Sequence, residues 1–557
     1  MKKLPIGISD YKKVKEDGYY YVDKTLLVRE LLDTAGEVIL MPRPRRFGKT
    51  LNLSMLKYFF EHTAIKHDYL FHDTAIWQDE SAKKLQGFYP VVFLSFKDVK
   101  ENTWDHAYAR MTLAITREFE RYAYILLPTL SSYHLKSYTA ILERTAGYVE
   151  YGESLLFLSQ LLSAHYQKRV MVLIDEYDTP IHAAYVHHYY EKLIDFMRSL
   201  LTTVLKDNNA LERGILTGIL RTAKEGIFSG LNNLSVFTLT KTPFSDKFGF
   251  TQEEVNQLLA YYNLLDSKDA ITQWYNGYKF GDTVIYNPWS LIQCTFEHGV
   301  LKPYWVNTSH NQLIKKLIAL SDVDTKRELE KLLTKKTVTQ EIEEVFIFPG
   351  IERNPRVLWS ILLFTGYVTY TYCNLLEGKE FCNLIIPNKE ISILYKDLIK
   401  AIFEQALTLP KIRVLIQALK DGDSQTLTTL LQEFILNSAS VYDFSEKDLE
   451  KSYHLFMLGL LVLLSDHYYI TSNREGGYGR YDILLIPHEK NKEGIIIELK
   501  KVLTSKRETF QSAADRALEQ IETMHYAQEL RACQIKSIIA FGIAFEGKKV
   551  LAKARKL

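Results

Sequence analysis

The chain of 557 residues is 47% hydrophobic and 24% charged, which is the make-up of an ordinary globular protein and excludes a disordered one. It is too long for a single core and divides into about three units. A formal charge of +2 creates no strong positive field, so any contact with nucleic acid has to come from local basic patches.

In chain order, the first eighteen residues carry basic charge but no apolar segment behind it, which argues against a secretory signal. Up to about residue 280, the apolar runs Val38–Met41, Val91–Phe96, Val170–Ile174 and Gly214–Ile219 alternate with helical patterns, the grammar of a parallel α/β sheet. The first run leads into Pro42-Arg-Pro-Arg-Arg-Phe-Gly-Lys-Thr50 and then a helical stretch from Leu51. Gly-Lys-Thr between a strand and a helix is the arrangement of a phosphate loop. Backbone N–H groups around Arg46 and Gly48 and the helix N-terminus attract phosphate oxygens, Lys49 reaches the β/γ-phosphates, and the Thr50 hydroxyl ligates Mg²⁺. The motif's first glycine falls on Arg43, which removes one permissive hinge and with it some nucleotide affinity.

The third run ends in Asp175-Glu176. Asp175 suits Mg²⁺ coordination through water, and Glu176 suits a general base for the attacking water. The fourth run delivers Arg221 and Lys224 beyond its end, where a cation senses the γ-phosphate or stabilises transferred charge. A surface arginine paired with a carboxylate is an equal alternative.

From roughly 285 to 430 the pattern turns to a 3.6-residue period, as in Asp322–Leu333 and Ile391–Leu407, and predicts a helical middle region. The apolar runs Val357–Tyr372 and Leu455–Ser465 read as buried helices, too short or interrupted to span a membrane. Cys294, Cys373, Cys382 and Cys533 show no metal-ligand spacing, and the expectation is reduced, mostly buried thiols in a reducing cytoplasm.

Near the C-terminus, Gly479–Pro487 and Gly494–Lys501 read as two strands joined by a polar turn. Alternation puts Glu498 and Lys500 on one face, and Asp482 joins them from the neighbouring strand. Two carboxylates are hard ligands for Mg²⁺ or Mn²⁺, and Lys500 adds positive charge beside a metal-activated water. An edge-strand ion pair between Glu498 and Lys500 is the plainer alternative. Upstream, Glu450 opens a helix as a further metal ligand or as a favourable N-terminal acid. Downstream, Ala514–Leu530 reads as one helix on which Gln520 faces the site, while Tyr526, six residues on and on another face, reads as packing or a DNA contact. Lys548, Lys549, Lys553, Arg555 and Lys556 read as a solvated basic tail, with non-specific tracking of phosphates as the alternative.

These residues resemble a known bacterial combination, an AAA-ATPase-like N-terminal domain with a C-terminal PD-(D/E)xK nuclease-superfamily domain. The resemblance rests on Leu4–Ser9, Tyr21–Thr25, Arg43–Thr50, Leu173–Asp178, Thr217–Arg221, Phe228–Asn233, Trp274–Tyr278, Tyr286–Ser290, Gly479–Asp482 and Ile497–Lys500. It implies that Arg43 is a family trait, that Lys49 and Thr50 bind nucleotide, and that Asp482 and Glu498 bind metal with Lys500 catalytic. The expected layout is a P-loop NTPase parallel sheet over 1–283, a mainly helical region over 284–435 and a restriction-endonuclease-like α/β domain over 436–557. The expected activity is an ATP-regulated, metal-dependent DNA nuclease using ATP and Mg²⁺ or Mn²⁺, without a membrane and with a homo-oligomer as a plausible assembly. The alternative is a non-catalytic ATP-dependent switch whose helical middle binds a protein or nucleic acid.

Overall fold

The computed structural model describes residues 1–221, 227–228, 231–305, 314, 317–318, 321–333, 336–345, 355–441, 459, 463–464, 467–476, 479–503 and 507–557. The chain forms two compact units, Met1–Val306 with Thr339–Ile391, and Asn307–Val338 with Ser392–Leu557.

The first unit is built on β1 (Val38–Pro42), β2 (Val91–Ser95), β3 (Val170–Asp175), β4 (Leu211–Gly218) and β5 (Leu234–Val236). They form a parallel sheet in the order β2-β3-β4-β1-β5. Every residue of β1 and β3 is buried, so these strands read as unbroken apolar runs, as expected when both faces are covered. In such a sheet ligands gather beyond the carboxyl ends of the strands. Here β4 lies between β1 and β3, which places Thr217 near its end between the phosphate loop and Asp175.

The N-terminal Tyr21–Thr25 motif is a seam. Asp23 accepts from the Thr25 amide and hydroxyl and from the Ala75 amide, and Lys24 pairs with Glu254 at 2.7 Å. Glu254 in turn completes a capping box with Thr251 on the helix Gln252–Tyr261.

The middle of the chain is helical, with Val323–Leu333, Pro355–Thr365 and Lys389–Ala406, and also holds short strands. β6 (Tyr278–Phe280) pairs with β7 (Thr283–Ile285), and β8 (Val338–Ile342), β9 (Thr369–Leu376) and β10 (Lys379–Ile385) form a sheet in the order β8-β10-β9. The run Val357–Tyr372 is therefore not one helix. Gly366, at φ +86°, ends the helix, and the β-branched and aromatic residues that follow enter β9. The same hairpin overturns the expectation of four reduced thiols. Cys373 and Cys382 are directly opposite in the β9–β10 register, with Cα atoms 4.1 Å apart, and form a disulfide. Cys294 and Cys533 are free.

The second unit carries a mixed sheet of β11 (Tyr468–Gly476), β12 (Gly479–Pro487), β13 (Gly494–Lys501), β14 (Ile538–Glu546) and β15 (Lys549–Lys556), in that order. All neighbours are antiparallel except β13 and β14, which are parallel and connected through the helices Phe510–Thr523 and Ala527–Ala532. The expected single helix Ala514–Leu530 is broken because His525 takes φ +55°. A Cβ on Gly542 would stand 2.3 Å from the Ala514 carbonyl, so glycine lets the first of these helices lie close on β14.

The basic tail is an edge strand and not a solvated end. Alternation buries Val550 and Ala552, while Lys553 and Arg555 pair with Asp515 and Glu522 of the helix Phe510–Thr523. The helix Ser424–Val441 covers that edge: Gln432 and Thr428 accept from the Val550 and Ala552 amides, which blunts a strand that would otherwise offer unpaired groups. Among the described residues no helix is long and apolar enough to cross a membrane.

Candidate functional site

Between β1 and the helix Lys49–Phe60, the loop takes left-handed backbone at Arg46 (φ 68°) and Gly48 (φ 85°). Left-handed residues placed this way before a helix can turn amides toward one side, as in an anion nest. Lys49 is buried and donates to the carbonyls of Arg43 and Pro44, each at 3.0 Å. Burial pushes its pKa down, against the pull of Glu176, Asp178 and Asp175. The Thr50 hydroxyl donates to Asp175 Oδ2 at 2.8 Å, and Thr217 donates to Oδ1 at 2.7 Å. Asp175 is fully buried, and desolvation raises its pKa. Thr50 and Asp175 thus offer hard oxygen donors beside a phosphate nest, a set that fits Mg²⁺ with a nucleotide.

Arg43 does not replace a hinge. Its φ is not positive, and its side chain turns into the core, donating to the carbonyls of Pro42, Phe237 and Phe244 beneath the rings of Phe248 and Phe280. The expectation of a lost glycine conformation is corrected: this backbone needs none. Arg46 is exposed and stacks on Trp289 with its guanidinium carbon 4.1 Å from the ring centre. Glu176 sits at φ 51° and accepts from Thr179 at 3.0 Å. Arg221 is held by Glu344 at 3.4 Å, the carboxylate pairing weighed for it from sequence. Lys224 lies outside the described residues.

In the second unit, Ile483 pairs with Ile497 at the end of the β12–β13 ladder, and Asp482 and Glu498 stand one step beyond. Each carboxylate is held by the other strand: Leu499 N donates to Asp482 Oδ2 at 2.7 Å, and Asp482 N donates to Glu498 Oε2 at 3.3 Å. Lys500 donates to Glu498 Oε1 at 2.8 Å. Glu498 is 1% exposed. Burial, then the Asp482 charge, raises its pKa to about 7, while Lys500 pulls the other way. Two carboxylates crowded into one site with a lysine beside them suit a divalent cation, which relieves their repulsion.

The broken helix brings Gln520 and Tyr526 together, with Gln520 Nε2 donating to the Tyr526 hydroxyl at 3.2 Å. Tyr526 is 1% exposed, and its pKa is raised by burial first and further by Glu498 and Asp482. It packs in the core cluster with Leu484, Ile496 and Leu518, the packing role expected for it, and its hydrogen bond to Gln520 is what the spacing on a single helix did not anticipate. Glu450 lies outside the described residues.

Comparison with known proteins matches residues 5–228 to a family model described as "Predicted AAA-ATPase" and residues 448–555 to a PD-(D/E)XK nuclease superfamily model. The chain thus matches, in order, an AAA-ATPase-like model over its N-terminal part and a PD-(D/E)XK nuclease superfamily model over its C-terminal part. It is also 27% identical over 548 residues to a protein of Azotobacter chroococcum mcd 1 described as "Uncharacterized protein in vnfD 5'region", covering 95% of this chain and 94% of that protein.

Sequence reasoning missed several residues that organise the AAA-ATPase-like domain. Asp178 Oδ2 accepts from the amides of Ile219 and Leu220, and the Tyr177 hydroxyl donates to the Leu220 carbonyl at 2.5 Å, so the two grip the backbone just before Arg221. Burial alone would raise the Asp178 pKa, but hydrogen bonding from His182 and these amides holds it below the usual range. Their adjacency to Asp175 in Leu173–Asp178 was the available signal. Trp289 sits within the Tyr286–Ser290 motif and Trp305 follows Trp289 by sixteen residues, and nothing in their spacing links them to a loop far upstream.

Proposed function

We propose that the chain is an ATP-binding, ATP-regulated, metal-dependent nuclease that hydrolyses DNA phosphodiester bonds. The observation that carries this reading is the convergence of Asp482, Glu498 and Lys500 at the open end of the β12–β13 ladder. Bound Mg²⁺ or Mn²⁺ would neutralise phosphodiester charge and acidify a water. Asp482 and Glu498 would hold the ion, and Lys500 would keep its ammonium beside the attacked phosphate. In the other domain, Lys49, with the amides around Arg46 and Gly48, would hold the polyphosphate, Thr50 and Asp175 the ion, and Glu176 would orient water. The domain limits proposed are 1–283, 284–435 and 436–557, with DNA as partner and a homo-oligomer as the assembly.

The pairing of Arg221 with Glu344 favours a second reading, in which the first domain binds ATP as a switch without turning it over. One set of assays separates them: cleavage of linear, circular and single-stranded DNA with Mg²⁺ or Mn²⁺, with and without ATP, alongside phosphate release. Wild type cuts, Asp482→Ala does not, and Lys49→Ala loses the response to ATP. Equal cutting by wild type and Asp482→Ala would overturn the nuclease assignment. ATP binding without phosphate release, with cutting still responsive to ATP, selects the switch reading of the first domain.

A further inference from the structure

The phosphate loop is gripped residue by residue from outside its own sheet. The Arg43 guanidinium is bound by the Phe237 and Phe244 carbonyls, and the Phe47 ring packs edge-on to Tyr278 at 5.0 Å. Between them, two tryptophans bracket Arg45 and Arg46. Trp305 Nε1 donates to the Arg45 carbonyl at 3.3 Å, and Trp289 lies under the Arg46 guanidinium at 4.1 Å.

The bracket is itself fixed. Trp289 Nε1 donates to the Tyr304 carbonyl at 3.1 Å. The fully buried Glu390 accepts from the Trp305 amide at 2.8 Å and, with both oxygens, from the Ser290 hydroxyl at 3.0 and 2.8 Å. One carboxylate thereby ties the residue after Trp289 to Trp305. A buried carboxylate that, among the described residues, accepts no hydrogen bond from a cation is costly to keep, and its hydrogen bonds specify a geometry.

Arg46 itself is poised. It holds a left-handed backbone that arginine seldom adopts, in the middle of the phosphate nest. Among the described residues no acidic side chain forms an ion pair with it, and the contact its guanidinium makes is with an indole face. A guanidinium binds a phosphate through charge-assisted, bidentate hydrogen bonds, which exceed an exposed cation–π contact in strength.

We propose that Trp289 is a positioning residue for the nucleotide site: it parks the Arg46 guanidinium on its indole face, and a nucleoside triphosphate in the loop draws that guanidinium onto its phosphate oxygens. Trp305 and Glu390 keep the indole and the Arg45 carbonyl in register while Arg46 moves. The proposal rests on the reading of Lys49 and Thr50 as a nucleotide site. It goes further by naming a loop cation that exchanges partners and a reporter of that exchange.

The test uses the full chain. Tryptophan emission is recorded during titration with Mg²⁺–ATPγS, and binding is measured separately by equilibrium dialysis of the same nucleotide. Wild type is expected to change emission with the dialysis midpoint, and Trp289→Phe to lose that change although the other tryptophans of the six remain. Trp289→Phe, which keeps a smaller ring face and a weaker cation–π contact, is expected to bind with an affinity between those of wild type and Trp289→Leu. Trp289→Leu, which removes the resting partner of Arg46, is expected to bind roughly 2- to 5-fold tighter, the scale of an exposed cation–π contact. Saturable binding with no Trp289-dependent change in emission overturns the proposal alone, as does weaker binding by a folded Trp289→Leu variant. Absence of binding by dialysis overturns the nucleotide reading and the proposal with it.

Discussion

Thr50 and Thr217 each donate a hydroxyl to a different carboxylate oxygen of Asp175, at 2.8 and 2.7 Å. The carboxylate is fully buried, so these two donors oppose the desolvation that raises its pKa. Removing one without changing shape tests the arrangement. Thr217→Val leaves Oδ1 without that donor and is expected to cost about 1–3 kcal/mol in denaturant unfolding at neutral pH. The cost should shrink in acid, where Asp175 is protonated and its charge no longer needs the donor.

Arg43 yields a prediction opposite to that from motif consensus. Restoring the missing glycine by Arg43→Gly would leave the Phe237 and Phe244 carbonyls without the guanidinium and empty the space between the Phe248 and Phe280 rings. The variant is expected to lose several kcal/mol of stability, on the order of 3, and to bind nucleotide no better than wild type. Thermal unfolding and equilibrium dialysis together check this, and tighter binding by Arg43→Gly would show that the loop did lack a hinge.

In the second unit, Gly542 controls how closely the helix Phe510–Thr523 approaches the sheet that carries Glu498. With a Cβ only 2.3 Å from the Ala514 backbone carbonyl, Gly542→Ala forces the helix outward. The expected cost is about 1–3 kcal/mol, together with a loss of metal-dependent cutting greater than the loss of folded protein, because Glu498 is Gly542's partner in the β13–β14 register.

The parts of this architecture legible in the sequence are those set by local period. Val38–Met41 and Val170–Ile174 are apolar without interruption because both faces of their strands are covered, and Thr50, Asp175, Asp482 and Glu498 stand out in the sequence because each adjoins or follows such a run. What escaped depends on backbone turns or distant partners. Gln520 and Tyr526 meet because His525 leaves the helical region at φ +55°, which no helical wheel anticipates. Cys373 faces Cys382 because the turn between β9 and β10 sets that register. Arg46 and Trp289 are brought together only by the tertiary fold.

Glu390 supplies a pH dependence whose sign can be worked out. Burial raises its pKa from 4.5 to about 7, against the lowering effect of hydrogen bonds from the Trp305 amide and the Ser290 hydroxyl. Between pH 4.5 and about 7 the folded state therefore holds a proton that the unfolded state has released. Where the native state binds more protons, stability falls as pH rises, so this group's contribution is most favourable below pH 4.5 and is progressively lost up to about pH 7. Glu390→Gln removes the titration while keeping an acceptor oxygen for the same donors. The stability of Glu390→Gln relative to wild type, measured by urea unfolding, is expected to increase across that interval and to level off above it. A difference that stays constant from pH 4.5 to 7 would mean that the carboxyl keeps its ordinary pKa despite its burial, and that Trp305 and Ser290 are held by an ionised group throughout.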